Sequence, residues 1–206
     1  MTQTVRVSAP EATTPAMPAE LAADPVADSR AATDALLALD DFPSGWVAKP
    51  RTSKRTLAEC GIKKYISAIA TSRSFERNTD SVASTVIFAN NEEDAKVAFE
   101  VLNDGIGACL KEGAIESDRD DVTIGKIDVS PMSVDPLGDE SSGVRVEVPF
   151  DSNGFKSTLV DDVVFTRTGR VIASTALAGL GSSSQDLLSR LAGATAGRIA
   201  RADVGS

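Results

Sequence analysis

The chain has no histidine and only two cysteines, Cys60 and Cys109. Without histidine, no Ser-His-Asp or Cys-His arrangement can form, and the commonest side-chain ligand of metals is missing. Aromatic residues make up 4% of the chain, with one Trp and one Tyr, so Ala, Val, Leu and Ile must fill the core. No stretch approaches the roughly 20 apolar residues that span a bilayer. Positive charge is in deficit. The net charge of -9 argues against nucleic acid as a partner, because that requires a basic surface.

Other catalytic patterns are missing too. No serine has Lys three residues later, and there is no Gly-x-Ser-x-Gly run. Gly105-Ile106-Gly107 lacks a third glycine and falls late in a helical pattern, which excludes a dinucleotide loop. Asp118-Arg119-Asp120-Asp121 lacks the later glycine and glutamate of a calcium loop and reads as a solvated acidic turn. Asp161-Asp162 falls in a strand pattern, which sends the two carboxylates to opposite faces and spoils them as an acid/base pair. The expectation is a non-catalytic protein with no metal site and no cofactor.

Composition is otherwise that of one soluble domain, 42% hydrophobic and 25% charged. Residues 1–27 hold four of the nine prolines and almost no large apolar side chain. Such a stretch cannot bury enough surface to offset its ordering entropy, so it reads as a disordered Ala/Pro/Thr-rich tether. A single domain over 28–202 and a tail over 203–206 complete the division. Met1 is followed by neither a charged n-region nor an apolar h-region, so this end is not a signal peptide. Two compartments fit the cysteine pair. One is the cytoplasm, with two reduced thiols. The other is outside it, with a Cys60–Cys109 disulfide and a leader already removed, and this is the reading adopted.

The element pattern is mixed. Asp28 or Ser29 can cap a first helix whose stripe is Ala32, Ala35, Leu36 and Leu39, ended by Asp40–Trp46. Arg73–Arg77 and Val82–Phe88 flank a turn at Asn78-Thr79-Asp80. Asn90 with Glu93 makes a capping box before a second helix. Its inward stripe is Ala95, Ala98, Phe99, Leu102, Ile106, Cys109 and Leu110, with Gly113 as a candidate C-cap. Val122 and Ile124 share one parity and Ile127 and Val129 the other, so a bulge belongs near Gly125. Val144–Phe150, Phe155–Thr166 and Val171–Leu177 form a hairpin-linked meander. Ser182 and Gln185 offer a second capping box, before a C-terminal helix with Leu188, Leu191, Ala192, Thr195 and Ile199 inward. The fold class is α+β: a twisted antiparallel sheet with helices packed on one face, the C-terminal helix among them.

Residues 49–77 carry Lys49, Arg51, Lys54, Arg55, Lys63, Lys64, Arg73 and Arg77 against Glu59 and Glu76. This basic region on an acidic chain is either a contact for an anionic partner or a solvated loop. Phe42, Trp46 and Tyr65 are either core-packing residues or the rim of a ligand cleft.

The ordered motifs resemble those of PknH-like extracellular domains. These are sensor-type domains of actinobacteria, found on a Ser/Thr receptor kinase and on stand-alone lipoproteins. The resemblance starts with Leu36-Leu37, Asp41-Phe42-Pro43-Ser44-Gly45-Trp46, Cys60 and Phe75. It continues through Val82–Phe88, the helix ending in Cys109, and Pro136-Leu137-Gly138-Asp139-Glu140. It ends on Val163-Val164-Phe165-Thr166-Arg167-Thr168-Gly169-Arg170-Val171, and so covers roughly residues 30–201. It implies a disulfide, a cleft for a small or lipid-like ligand, export, and lipid anchoring of the native form. This chain differs from the kinase version in lacking a kinase domain, a transmembrane segment, a second cysteine pair and a lipid-attachment cysteine near its start. The resulting expectation is an extracytoplasmic, non-catalytic binding module of the cell envelope that takes a small apolar or amphipathic ligand. The alternative is an envelope structural or protein-interaction module that uses the basic 49–77 region.

Overall fold

A computed structural model of the chain describes residues 25–50, 60–67, 71–115 and 121–203. Within them lie three helices, α1 (Pro25–Ala35), α2 (Glu92–Ile115) and α3 (Gln185–Asp203). The strands are β1 (Val47–Lys49), β2 (Thr71–Arg77), β3 (Asp80–Phe88), β4 (Val122–Ile124), β5 (Asp128–Met132), β6 (Glu140–Ser152), β7 (Phe155–Thr168) and β8 (Val171–Leu180). They form one eight-stranded sheet in the order β1-β2-β3-β8-β7-β6-β4, with β5 also on β6. Every strand pairing in it is antiparallel. The α+β class and the β6–β7–β8 meander are as expected.

Turn chemistry sets the hairpins. Asn153 and Gly154 both take positive φ, 52° and 83°, which a two-residue turn between twisted strands requires. The bulge near Gly125 is present. Ile124 opposes Phe150 and Asp128 opposes Glu147, so three residues on one strand face two on β6.

Helix placement differs from the expected layering. Phe99, Leu102 and Ile106 of α2 pack with Ile87, Val163, Phe165 and Ile172. Leu188, Leu191 and Ala192 of α3 pack with Val82, Val164 and Leu177. Ala32 and Ala35 of α1, with Leu36 beyond its end, pack with Val86, Val171 and Ala173. Val163 and Val164 are consecutive, as are Ile172 and Ala173, so these partners lie on opposite faces. The sheet is therefore covered by α2 on one face and by α1 and α3 on the other, not on one face alone. The reason is in β3, β8 and the second half of β7, which are buried almost without interruption and need cover on both sides. β6 alternates at Val146, Glu147 and Val148, as a strand with one wet face does.

Local details shift as well. α1 begins at Pro25, inside the stretch assigned to the tether, and Asp28 is buried rather than capping. Leu39 is exposed and Leu37 takes the core position instead. The α2 cap is Asn91, whose Oδ1 accepts from the Asp94 amide at 2.7 Å, not Asn90. Asn90 instead reaches Asp94 Oδ2. The helix continues past Gly113 to Ile115. Ser184, not Ser182, caps α3 through the Leu187 amide. The tether over 1–24, the acidic turn's 118–120 and the tail's 204–206 lie outside the described residues.

Candidate functional site

Cys60 and Cys109 form a disulfide with Cα atoms 5.6 Å apart. It fastens the segment leading into a short 3-10 turn, Lys63–Tyr65, onto α2, where Ile62 is buried in the α2 cluster. The bond thus holds one wall of the α2 face in place.

Among the described residues that face is only partly covered. Below α2, Ser74, Ala83, Ala176 and Val163 stand side by side across β2, β3, β8 and β7. The next row along the strands is Glu76, Ser81, Ala178, Asp161 and Val146. At its β6 end Val146 is buried with Ile127, Val148 and Val129, the last lying against Gly107 of α2. Beyond it Leu180 stands beside Leu159. Ala83, Ala176 and Ala178 are half-buried, and small side chains leave depth above them. Three of the large apolar residues that reach solvent lie on this face: Val47 at 50%, Leu180 at 39% and Phe155 at 60% exposure. The result is a shallow apolar floor beside α2.

One buried charged group faces that side, whereas Lys49 and Glu76, on the same face, are exposed and pair with each other. Asp161 Oδ1 is sealed from water and no hydrogen bond reaches it. Burial, and then the charge of Asp162, push its carboxyl up to about 6. Asp162 points the other way. Arg145 donates to it from Nε and Nη2, both at 2.7 Å, and Ser183 Oγ donates to Oδ2. Burial alone would raise the Asp162 carboxyl, but these hydrogen bonds outweigh it and hold it below its ordinary value. The expected split of the two carboxylates to opposite faces is what the strand produces. The orphan state of Asp161 was not read from the sequence, although an Asp at an inward position of an apolar strand was its signal.

The α3 face carries a polar opening. An open cleft of about 480 Å³ lies where Arg145, Glu147 and Ser182–Gln185 meet. Its cation, Arg145, is already committed to Asp162. Among the described residues no group of His, Cys, Asp or Glu is placed to hold a metal ion.

The aromatic candidates do not converge. Phe42 and Trp46 lie 5.0 Å apart, and Phe42 stacks on Phe75 at 4.4 Å, within the α3-side core. Arg77 covers the Trp46 ring. Tyr65 is on the other side of the sheet, against the α2 cluster, with Lys64 over its ring. The basic region is also divided. Arg73 donates to the Leu37 carbonyl, Arg77 pairs with Asp80, and Lys49 lies 3.9 Å from Glu76. Lys63 and Lys64 are exposed on the 3-10 turn, and Arg51, Lys54 and Arg55 lie outside the described residues.

Among the described residues no helix is long and apolar enough to cross a membrane. No family model and no curated protein matches the chain. Among solved structures, the extracellular domain of PknH from Mycobacterium tuberculosis is similar. It has 11% sequence identity and a TM-score of 0.50, and the match covers 86% of this chain and 98% of that one. At this identity the likeness is one of fold, and it extends over nearly the whole length of that domain.

Proposed function

We propose that the chain is an extracytoplasmic, non-catalytic binding module of the sensor type, taking a small apolar or amphipathic ligand on the open floor beside α2. The observation that carries this reading is the incomplete cover of that face. Leu180 and Val47 stay exposed there beside a floor of alanines, and Phe155 further along β7, while two helices pack on the opposite face. Apolar surface left open on a rigid sheet is the ordinary material of a ligand site. The likeness to an extracellular domain and the Cys60–Cys109 disulfide support a place outside the cytoplasm. Residues 1–24 then serve as a spacer, and the native form is held at the envelope by a lipid anchor. Tyr65, beside α2, remains a candidate for the rim; Phe42 and Trp46 are core residues of the other face.

The test is native mass spectrometry of protein purified from its own host, run beside esterase and phosphatase assays. The reading expects a co-purifying apolar or amphipathic molecule and no turnover. Turnover lost on changing a single Asp or Glu would replace it with an enzyme.

A further inference from the structure

We propose that the floor beside α2 takes an amphiphile with a primary ammonium head, and that Asp161 is the group receiving that head. The inference rests on the binding role proposed above and narrows it to a ligand class.

Asp161 is flanked across the sheet by Val146 on β6 and Ala178 on β8, neither of whose side chains can donate a hydrogen bond. Its neighbour Asp162 has Arg145 and Ser183, but both are on the far side of the sheet. Oδ1 is thus unpaired and shielded from water, although Asp161 as a whole is only half-buried and so borders the floor. Proteins seldom leave a buried acceptor in that state, because it loses its water and gains nothing in return. The raised carboxyl, at about 6, has the same cause, and an opposite charge within reach would reverse it.

The surroundings define the rest of the ligand. Ala83 and Ala178 are small, half-buried residues of the floor, and Ala176 lies at the edge of the α2 cluster. Leu159, packed on Ile127 and Val148, and Leu180 border the floor further along the strands. An alkyl chain lying there covers apolar surface that is otherwise wet. A carboxylate-headed chain would bring a like charge to Asp161. A hydroxyl head would donate without neutralising it. An ammonium does both.

The experiment is titration calorimetry with dodecylamine, dodecanol and dodecanoate, each below its aggregation concentration and at near-physiological salt. Wild-type protein is compared with Asp161→Asn and with Glu147→Gln. The second variant removes the same charge from the opposite face and so controls for the net charge of -9. Dodecylamine should bind wild type about tenfold or more tightly than dodecanoate, the size expected of one charge-assisted hydrogen bond. Asp161→Asn should abolish that preference while leaving dodecanol binding unchanged, and Glu147→Gln should keep it. If Asp161→Asn does not fold, Asp161→Ser serves the same comparison. The proposal is overturned if dodecanol binds as tightly as dodecylamine, if the preference survives in Asp161→Asn, or if Glu147→Gln removes it equally. Binding of all three with no preference defeats the role of Asp161 alone. Binding of none defeats the ligand floor itself.

Discussion

Asp161 and Asp162 are neighbours in the chain with opposite effects on stability. The Asp161 carboxyl rises from 3.8 to about 6, so the folded state holds its proton more tightly than the unfolded chain does. Its contribution is complete below the unfolded value and is lost as pH rises through about 6. Asp162, held down by Arg145 and Ser183, contributes above its unfolded value and loses that as pH falls. Asp161→Asn removes only the first effect. Urea unfolding at about pH 7 should find this variant more stable than wild type by roughly 1–3 kcal/mol, with the gap closing towards pH 4. A gap independent of pH would contradict the assignment. Asp28 shows why some residues were legible only in kind. Near the start of a helix it reads as a cap, yet it is 2% exposed and accepts from Ser67 at 2.8 Å and from Arg170, 142 positions away. Sequence spacing cannot reveal a partner at that distance. Asp28→Ala strands the Arg170 guanidinium and should cost about 3 kcal/mol, seen as a lower urea midpoint at unchanged slope. A loss under about 0.5 kcal/mol would mean that α1 docks without this pair.

At the scale of elements, the amphipathic stripes of α2 and α3 were legible and their exact starts were not. Asn90-Asn91 and Ser182-Ser183-Ser184 each offer several capable caps, and the choice is made by the chain leading in. Ser183 is drawn to Asp162, leaving Ser184 to cap α3. The motifs that carried the family resemblance also have structural work. Gly138, at φ 64°, lies so close to the Arg167 carbonyl that a Cβ would come within 2.4 Å of it. Asp139 and Glu140 then receive the buried Arg167 guanidinium at 3.3 and 2.8 Å. Asp41 similarly receives Arg198 from α3 through both oxygens. Two helical glycines separate packing from propensity. Gly105 has open space where a Cβ would stand, whereas at Gly107 a Cβ would lie 2.8 Å from Val129 Cγ1. Gly105→Ala should stabilise by about 0.5–1 kcal/mol. Gly107→Ala should gain nothing or lose about 1–2 kcal/mol, because β5 must move away from α2. Thermal melts of the two variants check this, and equal gains would show that α2 does not rest on β5.

For the whole molecule, hydrophobic pattern and turn chemistry marked the strands, the meander and the bulge at Gly125. They did not assign α2 to its face. Along Val82–Phe88 and Val171–Leu177 there is little polar alternation, so parity alone cannot say which side a helix takes. That same lack of alternation was the sign that both sides needed cover. Among the described residues, α1 and α3 pack on one face, and α2 leaves part of the other uncovered. The central claim is that this open floor binds an apolar or amphipathic ligand. Ala178, at its middle, gives the most direct test, because Ala178→Trp would fill the space a ligand needs. The measurement is calorimetric titration of dodecylamine into wild type and Ala178→Trp at several temperatures. The account predicts binding to wild type with a negative heat-capacity change, and its loss in the variant at an unchanged melting temperature. No binding to wild type, or equal binding to both, would contradict it.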